Sequence, residues 1–205
     1  MFESGVDLKI IFGVLASAVS IAAYIPYLAS IRAGTTRPHL YSWLIWTITT
    51  GTAAAGSWYG GGGYGAFGAT VAAVLTFIPF LLSFKYGTKN ITPSDTAVLI
   101  LALLAIVVWW QLKQPLFSII MVTLIDTFGY IPTYRKSWNE PWSESIFPWL
   151  LWLLYGLFLL LALESYNPLT LIFTLTTTIA ANAALIGMLL FRRRFVLKPV
   201  TEVSK

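Results

Sequence analysis

From Leu40 to Phe84 the chain carries not one charged side chain, and that stretch removes most of the folds open to a polypeptide. A helix at the surface of a soluble protein needs a charged or polar face for water. Uncharged apolar runs of this kind recur along the whole sequence. A helix rises 1.5 Å per residue, so crossing about 30 Å of hydrocarbon takes about 20 residues. Seven windows meet that requirement: residues 10–31, 40–59, 64–84, 96–112, 116–134, 145–163 and 169–191. Between the second and third, Gly60-Gly61-Gly62-Gly63 is a turn signal that divides one long run into two helices. The fourth is the shortest, held between Asp95 and Lys113. Soluble domains carry about a quarter charged residues, whereas this chain has 10% charged and 58% hydrophobic, so the expected class is an all-α membrane protein.

Residues 1–8 hold Glu3 and Asp7 and lack the basic region and small-residue cleavage site of a signal peptide. The first window is therefore expected to stay in the mature protein. Cytoplasmic loops near membrane spans retain Lys and Arg, which gives the orientation. Counted alternately, one side receives Arg32, Arg37, Lys85, Lys89, Arg135, Lys136, Arg192, Arg193, Arg194, Lys198 and Lys205, and the other only Lys9 and Lys113. A wrong helix count would scramble that split. Seven spans put the N-terminus outside and the C-terminus in the cytoplasm, in what we expect to be a plasma (inner) membrane.

The net charge of +5 follows this topology and shows no basic stripe interleaved with aromatics, so nucleic acid is not an expected partner. With no cysteine and a single histidine, His39, neither a disulfide framework nor a metal centre is expected, and no cofactor. No nucleophile motif or nucleotide loop appears, and the paired acids or histidines of an intramembrane hydrolase are missing, so the chain does not read as an enzyme.

An internal repeat fixes the architecture. Tyr24-Ile25-Pro26 recurs 106 residues later as Tyr130-Ile131-Pro132, and Trp43-Leu44-Ile45-Trp46 recurs in the same register as Trp149-Leu150-Leu151-Trp152. In both copies the tripeptide falls in the last turns of an outside-to-inside helix, a basic loop follows, and the tryptophans open the returning helix. The unit is three helices, with the fourth as spacer. A single intervening helix restores the starting side, so the halves insert in the same orientation, as two parallel three-helix bundles about an axis along the membrane normal. The expected divisions are 1–90 for the first bundle, 91–113 for the linker helix, 114–194 for the second bundle and 195–205 for a cytoplasmic tail.

Tyr24-Ile25-Pro26-Tyr27, followed by Thr35-Thr36-Arg37 and Ser42-Trp43-Leu44-Ile45-Trp46, resembles the PQ-loop pattern of the SWEET and PQ-loop transporter superfamily. Trp152-Leu153-Leu154-Tyr155-Gly156 is similar to that family's Trp-x-x-Tyr-Gly stretch in helix six. The family's glutamine after the proline is Tyr27 in one half and Thr133 in the other. The second window has no internal proline, and Pro148 opens the sixth, so the four-proline hinge of sugar-carrying members is at best half present. The resemblance implies a carrier of a small neutral or zwitterionic solute, sugar-like or amino-acid-like, working by alternating access from a site between the halves. Its substrate and the bilayer are the expected partners, with self-association left open. Two alternatives share the 3+1+3 plan: a vitamin-precursor carrier resembling the nicotinamide riboside family, and a non-transporting receptor resembling the KDEL receptors. The receptor should carry both acids and bases in its cavity, and the spans offer only Asp126.

Several residues invite a role. Pro26 and Pro132 each remove a backbone hydrogen bond at repeat-equivalent positions, which suits a hinge as well as a simple kink. Asp126 is the one charged residue inside an assigned span, and a charge there costs about 2.5–3.5 kcal/mol, so it requires a partner, a cavity or a proton. Proton coupling competes with a hydrogen-bonded strut as its role. Its repeat mate is Ser20, so the charge is asymmetric. Asn182 lies among Ala180, Ala181, Ala183 and Ala184, where small residues let helices approach and polar ones bond across the gap. SWEET-like proteins bind substrate with asparagines of helices three and seven, and here ligand binding and helix packing weigh equally. The repeat mates of Thr176 and Asn182 are Thr70 and Thr76, which complete the candidate polar set. Trp46 and Trp152 offer stacking faces and N–H donors one turn deeper than Trp43 and Trp149, which with Trp58, Trp109 and Trp110 suit an interfacial belt. Arg192-Arg193-Arg194 reads as a topology anchor, and His39 as a surface residue.

Overall fold

The structure, a computed structural model, describes residues 7–34, 38–87, 93–139, 141–142 and 145–197. Thr35, Thr36, Arg37, Lys89, Lys198 and Lys205 lie outside the described residues, as do the side chains of Asp95, Trp109, Pro132, Arg135 and Lys136. Within the described residues the chain is helical and has no strand.

Helix α1 (Leu8–Arg32) starts where the Asp7 carboxylate accepts from Lys9 N at 2.9 Å, satisfying a first-turn donor. It runs unbroken through Pro26, and Arg32 sits in its last turn, where a cation complements the C-terminal dipole. Helix α2 (Leu40–Tyr59) begins on His39, whose Nδ1 accepts from Ser42 N, so His39 is a cap rather than a plain surface residue. The turn into α3 (Tyr64–Tyr86) needs φ of 75° at Gly61 and 54° at Gly63, values that side chains with a Cβ rarely adopt. Helices α4 (Pro93–Leu112), α5 (Pro115–Asn139) and α6 (Ile146–Ala162) follow. Helix α7 (Pro168–Arg192) is continuous, and its middle, Thr174–Ala181, is wound as a π-helix. It opens on a reciprocal cap: Asn167 Oδ1 accepts from Leu169 N while Thr170 Oγ1 accepts from Asn167 N, both at 3.0 Å.

One boundary departs from the sequence expectation. Residues 135 and 136, expected in a loop, are helical, because α5 continues past the tripeptide to Asn139. The longer helix keeps the backbone carbonyls of that stretch bonded within the helix.

Helices α1, α3 and α7 are long and apolar enough to cross a membrane, and α4, α5 and α6 contain shorter apolar stretches, Thr96–Val108, Pro115–Tyr130 and Ile146–Ala162. Large apolar side chains such as Ile25, Val74, Trp110, Phe128 and Phe147 face outward, a surface suited to lipid better than to water.

Helix α1 packs on α3 and α6, and α5 packs on α7 and α2, while α4 leans on α5 and α2. Sequence repetition therefore reappears as repeated contacts. Tyr24 Oη bonds Thr76 Oγ1 at 2.7 Å between α1 and α3, and Tyr130 Oη accepts from Asn182 Nδ2 at 3.2 Å between α5 and α7. Tyr24 and Trp43 rings lie 6.2 Å apart, and Tyr130 and Trp149 rings 6.0 Å apart. A buried cluster of Ala16, Ala72, Tyr155 and Leu159, with Trp152 packed against it, joins α1, α3 and α6. At the end where α2 and α6 finish, the two returning loops are tied together. Asn167 Nδ2 donates to Gly60 O at 2.7 Å, Glu164 N to Gly62 O at 3.3 Å, and Lys9 Nζ to Leu163 O.

The paired tyrosines give a direct check. Tyr24→Phe leaves Thr76 its bond to Ala72 O and should cost about 1 kcal/mol, whereas Tyr130→Phe strips a partner from Asn182 and should cost more. In a detergent thermal melt we expect the first to lower the midpoint by about 2–4 °C and the second by more; equal melting of all three proteins would show that these bonds do not join the helices.

Candidate functional site

A cavity of about 290 Å³ lies between α1–α3 on one side and α5–α7 on the other, and no described residue of α4 lines it. Its size falls near the lower end for small-molecule sites. Room comes from short side chains, Ala53, Ala69, Ala72 and Gly129, set between large rings.

Three of the ring contacts in the lining are close to right angles. Trp43 and Trp46 meet at 84° with centroids 5.0 Å apart, Tyr24 and Trp152 at 88° and 5.4 Å, and Trp152 and Tyr155 at 89° and 5.6 Å. Edge-to-face packing holds each ring by its neighbour. The Tyr24–Trp152 pair crosses from one half to the other. Trp43 is fixed further by its Nε1, which donates to Tyr27 Oη at 3.0 Å.

Asp126, half-buried, is the only charged residue of the lining among the described residues. Its Oδ1 lies 2.8 Å from Thr49 Oγ1, and Thr49 Oγ1 also lies 3.2 Å from Trp46 O. A hydroxyl has one proton and two lone pairs. Thr49 can therefore donate to a carboxylate, or accept from a carboxylic acid while turning its own proton to Trp46 O. Both protonation states of Asp126 thus find a partner in one geometry. Among the described residues no cation pairs with Asp126 and no donor reaches its Oδ2.

Asn182 follows the π-helical turn and is 2% exposed. Its Nδ2 donates to Thr178 O at 2.9 Å, Thr177 O at 3.2 Å and Tyr130 Oη at 3.2 Å. Two carbonyls on one side of the amide fix which atom is nitrogen. Oδ1 then faces a region where no described donor reaches it. A buried acceptor left alone costs about 1–3 kcal/mol.

Of the residues singled out in the sequence, Trp46, Trp152, Thr76, Asn182 and Asp126 line the cavity. Thr70 and Thr176 do not. Thr70 Oγ1 accepts from Trp58 Nε1 at 2.9 Å on an outer groove of α2 and α3, and Thr176 is exposed. Each stands six residues from its partner, and six residues turn an α-helix by about 240°, so Thr70 and Thr76 cannot face one site. In α7 the π turn presents Thr174, Thr177 and Thr178 inward instead. Pro26 is exposed on α1, away from the cavity, and the side chain of Pro132 is outside the described residues.

Sequence reasoning missed Tyr24, Tyr130, Tyr155 and Thr49 as site residues. The tyrosines carried a signal, since two open the repeated tripeptide and the third lies one turn beyond Trp152. Thr49 had none: it reaches Asp126 only through the packing of α2 on α5. No protein-family model, no curated protein and no solved structure matches this chain.

Proposed function

We propose that this chain is a membrane transporter that moves a small organic solute by alternating access through the cavity between its halves. Helices α1–α7 would be the seven spans, with α1–α3 and α5–α7 as parallel three-helix bundles, α4 as linker, the N-terminus outside and the C-terminus in the cytoplasm of a plasma (inner) membrane. The repeat and the Tyr-Ile-Pro and Trp-x-x-Trp pattern make it similar to the SWEET and PQ-loop superfamily, with Tyr27 and Thr133 where that family has glutamine. The pairing of α1 with α6 and of α5 with α2, and the repeat-equivalent tyrosine bonds, support the twofold plan.

One observation carries the proposal: a cavity at the seam, lined from both halves by rings, threonines and a single acid. Rocking of one bundle against the other would expose it to each side in turn. Tyr24 against Trp152 is a contact that such rocking must slide or break. Asp126 is placed to take up and release a proton as the cavity changes sides, with Thr49 serving either state.

The purified protein should be screened by thermal shift against sugars, amino acids, nucleosides and small amines, because a bound guest raises the midpoint by mass action. A radiolabelled hit should then accumulate inside proteoliposomes with time and not in protein-free vesicles. Trp46→Ala should lower the initial rate by roughly tenfold, the scale of one lost ring contact in a desolvated site. Binding with no movement across the bilayer would make the chain a receptor.

A further inference from the structure

We propose that the guest is a small organic cation, an amine or quaternary ammonium with no carboxylate, held between Asp126 and the rings of the cavity. The proposal rests on the cavity being the guest site and deepens that reading by naming the chemistry.

The lining is unbalanced. It carries one acid and, among the described residues, no lysine, arginine or histidine. A zwitterion would bring a carboxylate to a place without a cation to receive it, and a neutral guest would leave Asp126 with Thr49 as its single partner. A carboxylate held by one hydroxyl is only partly satisfied, and a monocation is the guest that neutralises it without Asp126 having to take up a proton.

Ring geometry supplies the rest. Faces of tryptophan and tyrosine attract a cation within about 6 Å of the ring centre. Trp46, Tyr24 and Trp152 all line the cavity, and Thr49 ties the acid to the wall, since its hydroxyl lies between Asp126 Oδ1 and Trp46 O. A sugar would also stack on these rings, but it would want donors and acceptors in a ring around its edge. The described lining offers mainly apolar faces and threonine hydroxyls already turned to their own backbone, as Thr76 is to Ala72 O and Thr177 to Phe173 O.

A proton and a cation cannot both neutralise one carboxylate. They therefore compete, and a carrier that crosses only when Asp126 is neutralised exchanges one for the other. The other titratable groups lining the cavity are phenols, Tyr24 from α1, Tyr130 from α5 and Tyr155 from α6; α2, α3 and α7 contribute no titratable group to the lining, and no described residue of α4 reaches it.

The test is binding of choline, benzyltrimethylammonium and phenethylamine to the purified full-length protein, beside 3,3-dimethylbutan-1-ol, the uncharged isostere of choline. We expect at least one amine to raise the melting midpoint, and choline to bind at least about tenfold more tightly than its isostere. Asp126→Asn should abolish the amine shift, and the comparison with the isostere on the unaltered protein stands if that variant fails to fold. Equal binding of choline and the alcohol, or no shift with any of the three amines, overturns the proposal. Amine binding without flux into proteoliposomes would keep the cation site and discard the transporter. Flux of a neutral sugar with no amine binding would do the reverse.

Discussion

Asp126→Asn should leave the protein folded, cut uptake to a small residue, and make that residue insensitive to pH. The fold survives because an amide occupies the space of a carboxyl and its nitrogen can donate to Thr49 Oγ1, as the protonated acid would, with Thr49 turned to Trp46 O. The variant is thus a permanent copy of the neutral state. In the unaltered protein, acidifying the side from which the guest enters should weaken its binding, because a proton takes the carboxylate. Initial rates at a series of pH values, compared after matching the amount of folded protein by size exclusion, measure this. A variant whose uptake keeps the full pH dependence would remove Asp126 from coupling and leave it as a strut between α5 and α2. Thr49→Ala separates the two roles further: a strut loses stability, whereas a proton relay loses pH response at nearly unchanged melting.

Trp152→Ala should be the most damaging substitution in the cavity, costing roughly 3 kcal/mol of stability together with guest binding. Its ring meets Tyr24 of the other half at 5.4 Å and Tyr155 of its own helix at 5.6 Å, and it packs against the buried Ala16, Ala72, Tyr155 and Leu159 cluster. Truncation therefore opens a hole in the contact that joins α6 to α1 as well as removing a wall of the site. Trp152→Phe keeps an aromatic face and should restore most of the stability and part of the binding. Trp46, 40% exposed, has less to lose, so Trp46→Ala should weaken the guest with a smaller fall in melting temperature. Paired melting and binding curves for the three variants check the order. If Trp152→Ala melted like the unaltered protein, the ring would not be part of the seam.

The helical class was legible because lack of charge over about 20 residues leaves a chain in lipid no better way to bond its backbone. The repeat was legible too, since Tyr24 and Tyr130, and Trp43 and Trp149, were matched in sequence before they were found in matching contacts. Pairing by offset then overreached at Thr70 and Thr176. Equivalent positions in two halves share a face with each other, but not with a neighbour six residues along the same helix. The π turn at Thr174–Ala181 left no trace in composition, because a run of threonine and alanine is compatible with either winding. It decides which threonines face the cavity and sets the place of Asn182. The link from Asp126 to Thr49 spans 77 residues and depends on how α2 settles on α5, which no local pattern encodes.

The tie between the glycine turn and the loop before α7 has a consequence for movement at that end. Its acceptors are main-chain oxygens of Gly60, Gly62 and Leu163, so the side chains that make this clasp are those of Asn167 and Lys9, and a Cβ at Gly60 or Gly63 would collide with Asn167 or Glu164. Each such bond contributes about 1 kcal/mol, so any movement that parts the two loops must give up two or three of them. Under the proposed topology that clasp closes the outer mouth. Opening that mouth would therefore cost about 2–3 kcal/mol unless the parted groups found other partners.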